Sequence, residues 1–289
     1  MSREPASFQM LLFEEPAPAL PDVAVPEPAP ACLEDCVRQF VEDLLAPGKS
    51  GGPCLLVQAF RFAELRFEPA DEKGDALTTH ILGFPPEDLP RFTHNLCKTL
   101  GDIFEKLIFN VYGAAYPQHF SRDFEKMKTQ VDKARKKLEA GKGRIGKWCP
   151  DFLIALIAYE IKYRCANGQG ATEQSWGAVT LAALGYLPRM LLFRLSPNSA
   201  RFQRNGWGCF EAEGAVAQIK KDTGVDILEV IRRAGEDPRI ALRREMGLRD
   251  LFQREARGTA YRLETYGHRF AQIDPATMAR ARDACARLP

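Results

Sequence analysis

The residues whose types and spacing could do chemistry lie in one apolar stretch at positions 149–164, CPDFLIALIAYEIKYR. Asp151 stands near its start, and Glu160 and Lys162 stand near its end. Burying a charge without a partner costs several kcal/mol, or shifts its pKa until the group neutralises. We therefore expect these three groups to satisfy one another or to bind something supplied from outside the chain.

The spacing of the three groups indicates what they could do together. Residues two apart in a strand share a face, so Glu160 and Lys162 point the same way. If Asp151 opens a neighbouring antiparallel strand, its carboxylate comes beside that of Glu160. Two such carboxylates repel unless a cation lies between them, and their hard oxygen atoms suit Mg²⁺. The pattern predicts phosphodiester hydrolysis, with Asp151 and Glu160 as metal ligands and Lys162 stabilising charge or orienting the attacking water.

The elements that must position these groups follow from hydrophobic periodicity. In chain order they are a helix after Cys32, one or two strands within 53–69, a long helix over 89–113, two strands within 149–164, a helix over 170–185, strands over 186–195 and 206–210, and two short helices over 213–235. This order predicts an α/β protein, with a mixed α+β sheet that has helices on its faces.

A basic segment precedes the chemical stretch. Residues 122–147 contain ten Lys and Arg residues against four Asp and Glu residues. Taken alone, such a segment indicates a solvated helix with i,i+4 ion pairs. Its glycines would also let the backbone approach a duplex, with Lys142, Arg144 and Lys147 neutralising phosphates. We therefore predict these three residues as DNA-binding.

The motif carries a resemblance to a known family. Pro150-Asp151, followed after eight residues by Glu160-Ile161-Lys162, resembles the signature of the PD-(D/E)xK nuclease superfamily, and in particular of type II restriction endonucleases. The continuation LGYLPRMLLFRLSPNSARFQRNGWGCFEAEGAVAQIKKDTGVDI is similar to ApaLI-type restriction enzymes. The resemblance covers about residues 95–230.

The resemblance implies a restriction-endonuclease-like core and Mg²⁺-dependent, site-specific cleavage of double-stranded DNA. It also implies a homodimer that cuts both strands, and a cognate DNA methyltransferase as a separate protein. In many relatives the helix before the hairpin carries a further acid of the site. Glu105 is our candidate for that residue, ahead of Asp102.

Four segments are predicted along the chain. Residues 1–31 form a Pro/Ala-rich flexible arm, and 32–94 form an N-terminal helical and strand part. The nuclease core spans 95–235. Residues 236–289 form a C-terminal helical part for DNA recognition or dimerisation.

Composition and residue patterns limit the classes to which this protein can belong. The chain has 289 residues, 45% of them apolar, and a formal net charge of +2, which is ordinary for a globular protein. Its eight cysteines lack the spacing of a zinc site, and it contains neither a signal-peptide pattern nor a long apolar run. We expect a cytoplasmic protein without membrane contact.

Two other functions fit the same residues. One is a repair or recombination nuclease of the same superfamily that acts on ends, flaps or junctions. The other is a non-catalytic DNA-binding protein in which Glu160 and Lys162 form a solvated ion pair on a half-buried strand.

Overall fold

The computed structural model describes residues 24–65, 74–85, 89–122, 149–164, 177–195, 202–203 and 205–270. The chain divides into two compact units. The sheet unit consists mainly of Tyr116–Gln218, and the helical unit consists of Pro30–Ala115 together with the chain from Ile219. The four segments predicted from the sequence remain a prediction.

The sheet unit contains one five-stranded mixed sheet. Its strands are β1 (Phe120–Ser121), β2 (Phe152–Ile154), β3 (Ile157–Lys162), β4 (Leu187–Leu192) and β5 (Gly208–Glu211), and they lie in that order. β1, β2 and β3 pair antiparallel, whereas β3, β4 and β5 pair parallel. The strands predicted within 149–164, 186–195 and 206–210 are therefore confirmed, and so is the mixed α/β class.

One face of this sheet packs against a helix. Residues 177–183 are helical (α4), which confirms that part of the helix predicted over 170–185. The packed cluster is apolar and buried, and its members are Leu153, Ala158, Ala178, Leu181, Met190, Leu192, Phe202 and Trp207. Trp207 is thus a core aromatic residue. Ala158 belongs to this cluster, and Glu160 and Lys162, two and four residues further along β3, point to the same face of the sheet.

Aromatic rings cross the other face of the sheet. The ring of Phe152 stacks on Phe120 at 5.4 Å and on Tyr159 at 4.6 Å between centroids. The hydroxyl of Tyr159 accepts a hydrogen bond of 3.0 Å from Arg189 on β4. These contacts tie together the first four strands, and hence the hairpin that carries the charged groups.

The helical unit is built from α1 (Leu33–Leu45), α2 (Leu55–Phe62), a π-helical turn (Leu77–Ile81), α3 (His94–Ala115), α6 (Ile227–Glu236) and α7 (Pro238–Phe270), while α5 (Glu213–Thr223) follows β5. α1 packs on α3 and α6, and α2 packs on α3 and α7. The helix predicted after Cys32, the long helix predicted over 89–113 and the two short helices predicted over 213–235 are confirmed as α1, α3, α5 and α6. No described helix is long and apolar enough to cross a membrane.

The strand prediction within 53–69 is wrong for its first half. Residues 55–62 form α2, because Leu56, Ala59 and Phe60 recur at helical spacing and are all buried. Phe62, at the end of α2, is 39% exposed. The described part of 53–69 otherwise makes one isolated bridge, between Glu64 and Arg91.

Candidate active site

The hairpin β2–β3 positions the charged groups of the sheet unit. Its register pairs Phe152 with Tyr159 and Ile154 with Ile157. Asp151 directly precedes β2, and its N–H donates to the Tyr159 carbonyl at 2.8 Å. This hydrogen bond keeps Asp151 beside β3. The meeting of the Asp151 and Glu160 carboxylates across the hairpin remains a prediction.

The turn of this hairpin has unfavourable local chemistry. It consists of Ala155 and Leu156, and Ala155 has a φ of 49°, in the left-handed region that favours glycine. The flanking residues Ile154 and Ile157 are buried, and the Leu156 carbonyl accepts a hydrogen bond from the N–H of Leu187 on β4. The register is thus held by burial and by the third strand, not by the turn residues.

The Asp151 carboxylate is held by the neighbouring strand. Its Oδ2 accepts a hydrogen bond of 2.6 Å from the Ile161 N–H. Burial raises the pKa of Asp151, while the charge of Lys162, the Ile161 hydrogen bond and the charge of Arg122 each act to lower it. A carboxylate in this position gains stabilisation from any additional positive charge brought to it.

Glu160 and Lys162 form an ion pair on one face of β3. The Lys162 Nζ lies 2.6 Å from Oε1 of Glu160. The side chain of Glu160 is 3% exposed and that of Lys162 is 30% exposed. The ammonium group therefore connects a buried carboxylate to the surface.

Taken together, the hairpin supplies two carboxylates and one ammonium group, and the Lys162 charge acts on both carboxylates. No group of three or more His, Cys, Asp or Glu side chains in the described ranges is arranged to hold a metal ion. The hairpin can thus offer at most two carboxylate ligands from its own strands.

The other predicted site residues belong to other segments of the chain. Glu105 is on α3 in the helical unit and is partly buried, and its role in the site remains a prediction. Lys142, Arg144 and Lys147 lie outside the described residues, so their contact with DNA also remains a prediction. Arg122, the first basic residue of that segment, directly follows β1 and is exposed.

Three further charged residues at this edge of the sheet escaped the sequence analysis. Arg164 follows β3, Arg194 follows β4, and Glu211 ends β5. The register places Leu192 beside Lys162 and Glu211 beside Leu192, so Glu211 shares the face of Lys162. The parallel pairing of β3, β4 and β5 places the ends of these three strands next to one another, and short-range spacing carries no signal of it.

Comparison with known proteins returns no match to this chain among family models, curated proteins or solved structures.

Proposed function

We propose that this protein is a Mg²⁺-dependent, site-specific endonuclease of the type II restriction class that hydrolyses phosphodiester bonds in double-stranded DNA. The observation that carries the proposal is the hairpin β2–β3, in which the Lys162 Nζ lies 2.6 Å from Glu160 and the Asp151 carboxylate accepts from the Ile161 N–H within reach of the Lys162 charge. Paired carboxylates beside an ammonium group suit a reaction in which negative charge grows on a phosphoryl oxygen.

The donor set fits Mg²⁺. This ion is commonly held by one or two carboxylates, and waters and substrate phosphates complete its octahedral shell. Asp151 and Glu160 would hold it, and when bound it supplies Lewis-acid activation of the phosphoryl group and a water of lowered pKa. Burial raises the pKa of Asp151, and a cation bound beside it would favour the ionised carboxylate.

The chain's own residues have separate roles in the proposal. The Ile161 N–H orients the Asp151 carboxylate through its 2.6 Å hydrogen bond. In this proposal Glu160 orients the Lys162 ammonium, which stabilises the charge that the phosphoryl oxygens gain in the transition state. Removing one such donor typically costs about 10²–10³-fold in rate.

The wider proposal covers fold, partners and location. The antiparallel β1–β2–β3 meander followed by two parallel strands supports a restriction-endonuclease-like core. We further propose a cytoplasmic homodimer on double-stranded DNA, with a separate methyltransferase that protects the host sites.

The test is digestion of long unmethylated phage DNA by the purified protein, with Mg²⁺ or with EDTA. We expect discrete fragments with Mg²⁺ alone, and none from Lys162→Ala or Asp151→Ala. Both variants should still bind DNA in Ca²⁺, and circular dichroism should show that they are folded.

Two results would contradict this proposal. If the wild-type protein leaves long DNA intact but cuts flaps or branched junctions, the enzyme is a structure-specific nuclease. If no DNA is cut under any divalent metal, the Glu160–Lys162 pair is a structural ion pair and the protein is not a nuclease.

A further inference from the structure

A cavity of about 490 Å³ opens in the helical unit, where residues of α6, α7 and the π-helical turn line it together. This volume lies within the range of small-molecule binding sites, which is roughly 300–1,000 Å³. Ala241 and Leu248 of α7 give the cavity apolar surface, and Arg232 and Arg244 give it charge. All of its lining residues belong to the helical unit, so it is a site of that unit alone.

Two glycines let the elements around this cavity approach one another closely. Gly83, just after the π-helical turn, has a φ of 76°, and a side chain there would bring its Cβ within 2.6 Å of Cδ of Arg244. Gly235 on α6 packs against the backbone of His80 in the same way. These contacts hold the Arg244 side chain against the π-helical turn and α6.

The guanidinium group of Arg244 is fixed through one of its nitrogen atoms. Its Nη1 donates to the His80 carbonyl at 2.6 Å and to the Gly235 carbonyl at 3.2 Å. The remaining N–H donors, on Nε and Nη2, make no hydrogen bond to the part of the chain that the structure describes. Arg244 is therefore held in place and keeps donors for a ligand.

The two arginines that line the cavity differ in how their charge is balanced. Arg232 pairs with Glu229 at 2.7 Å and also with Glu236, so two carboxylates balance its charge. Arg244 instead contacts two uncharged carbonyls, and no acidic side chain in the described ranges forms an ion pair with it. Arg244 is half-buried, so water can solvate its charge only in part. An anionic group in the cavity would supply the counter-charge, and carboxylate and phosphate oxygens match the geometry of a guanidinium.

We propose that this cavity binds a small organic anion, with its carboxylate or phosphate group on Arg244 and its apolar part against Ala241 and Leu248. The site is distinct from the residues of the proposed cleavage reaction, which belong to the sheet unit. The inference therefore goes beyond the proposed function and does not depend on it.

The test measures the affinity of the purified protein for phenyl phosphate, benzoate and benzyl alcohol by isothermal titration calorimetry. The first two probes join an apolar ring to a phosphate or a carboxylate, whereas benzyl alcohol has the ring without the charge. We expect at least one of the two anions to bind and benzyl alcohol not to bind. Arg244→Gln should weaken binding of the anion about 10-fold or more, because it removes a charge-assisted hydrogen bond.

Two further variants separate loss of the site from loss of charge or of folding. Arg243→Gln removes the same charge from the neighbouring, exposed position on α7, and it should keep the wild-type affinity. Ala241→Phe narrows the cavity and leaves Arg244 in place, so it should abolish binding. Circular dichroism shows whether each variant is folded, and the comparison of the charged and neutral probes on the wild-type protein needs no variant.

The proposal is overturned if neither anion binds the wild-type protein, or if benzyl alcohol binds as tightly as the anions do. It is also overturned if folded Arg244→Gln keeps the wild-type affinity. Tighter binding of phenyl phosphate than of benzoate would support a phosphate-bearing ligand, and the reverse order would support a carboxylate. None of these outcomes requires DNA cleavage, so failure of the proposed function would leave this test unaffected.

Discussion

At the scale of single residues, the Glu160–Lys162 ion pair affects both the stability of the fold and the proposed cleavage reaction. Lys162→Met removes the cation 2.6 Å from a carboxylate whose side chain is 3% exposed. Leaving a buried charge without its partner is costly, but Lys162 itself is partly solvated, so we expect a loss of about 1–3 kcal/mol in the free energy of unfolding. Urea denaturation measures it.

The double variant Glu160→Gln/Lys162→Met is the control for this prediction, because it removes both charges. It should recover most of the lost stability and still not cleave DNA. A double variant that is less stable than Lys162→Met would show that Glu160 does not depend on Lys162.

Asp151 gives a pH-dependent prediction at the same scale. Burial raises its pKa, so the folded state favours the protonated form more than the unfolded state does. The stability from this preference is present at acid pH and is lost as the pH rises through the raised pKa. In EDTA at about pH 8, Asp151→Asn should therefore melt at a higher temperature than the wild-type protein, and the gap should close as the pH falls towards the usual aspartate range near 3.9.

Asparagine keeps an oxygen that can accept from the Ile161 N–H, whereas Asp151→Ala does not. The alanine variant should therefore lack this gain. An asparagine variant that melts below the wild-type protein at about pH 8 would mean that the ionised carboxylate stabilises the metal-free fold.

At the scale of elements, the hairpin turn predicts a stabilising substitution. Ala155 has a φ of 49°, which costs an alanine roughly 1–2 kcal/mol and a glycine little. Because glycine also gains entropy in the unfolded chain, Ala155→Gly should stabilise by about 0.5–1 kcal/mol in urea denaturation. Leu156→Gly, at the neighbouring turn position without a positive φ, should destabilise. Equal losses of stability in Ala155→Gly and Leu156→Gly would show that the positive φ of Ala155 does not strain the turn.

Where α6 packs on the π-helical turn, glycine is the residue that the packing requires, so replacing Gly235 should destabilise the protein. A methyl group at Gly235 would collide with the backbone carbonyl of His80, which also accepts a 2.6 Å hydrogen bond from Arg244. Gly235→Ala should therefore lower the free energy of unfolding by about 1–3 kcal/mol. Gly214→Ala on α5 is the control: nothing lies within 4 Å of the new methyl group, and helix propensity should make it slightly stabilising. A neutral Gly235→Ala would show that the two elements separate easily.

These elements also show what sequence periodicity can and cannot predict. The alternation of Glu160 and Lys162 correctly gave one shared face, because it depends only on strand geometry. The same reasoning failed in the first half of 53–69, where a short apolar run fits either period and burial of Leu56 and Ala59 decides for a helix. The pairing of Lys162 with Leu192 depends on a parallel register between strands far apart in the chain, which local spacing does not encode.

At the scale of the whole molecule, the proposed function requires more than one copy of the chain. One hairpin supplies one set of Asp151, Glu160 and Lys162, and one set can act on one phosphodiester at a time. Cutting both strands of a duplex in a single encounter needs two sets, which a symmetric dimer provides. We therefore expect the DNA-bound protein to have twice the mass of one chain by light scattering.

Mixing active and inactive chains tests this requirement directly. Wild-type protein and Lys162→Ala should exchange subunits, and the mixed dimer carries one competent hairpin. With a supercoiled plasmid that contains one site, the wild-type protein should give linear DNA, whereas an excess of Lys162→Ala should convert the product to nicked circles. If each chain acts alone, the variant only dilutes the enzyme, and the proportion of nicked to linear product stays constant as the variant is added. That result, with a single-chain mass on DNA, would overturn the dimer and leave the chemistry of the hairpin intact.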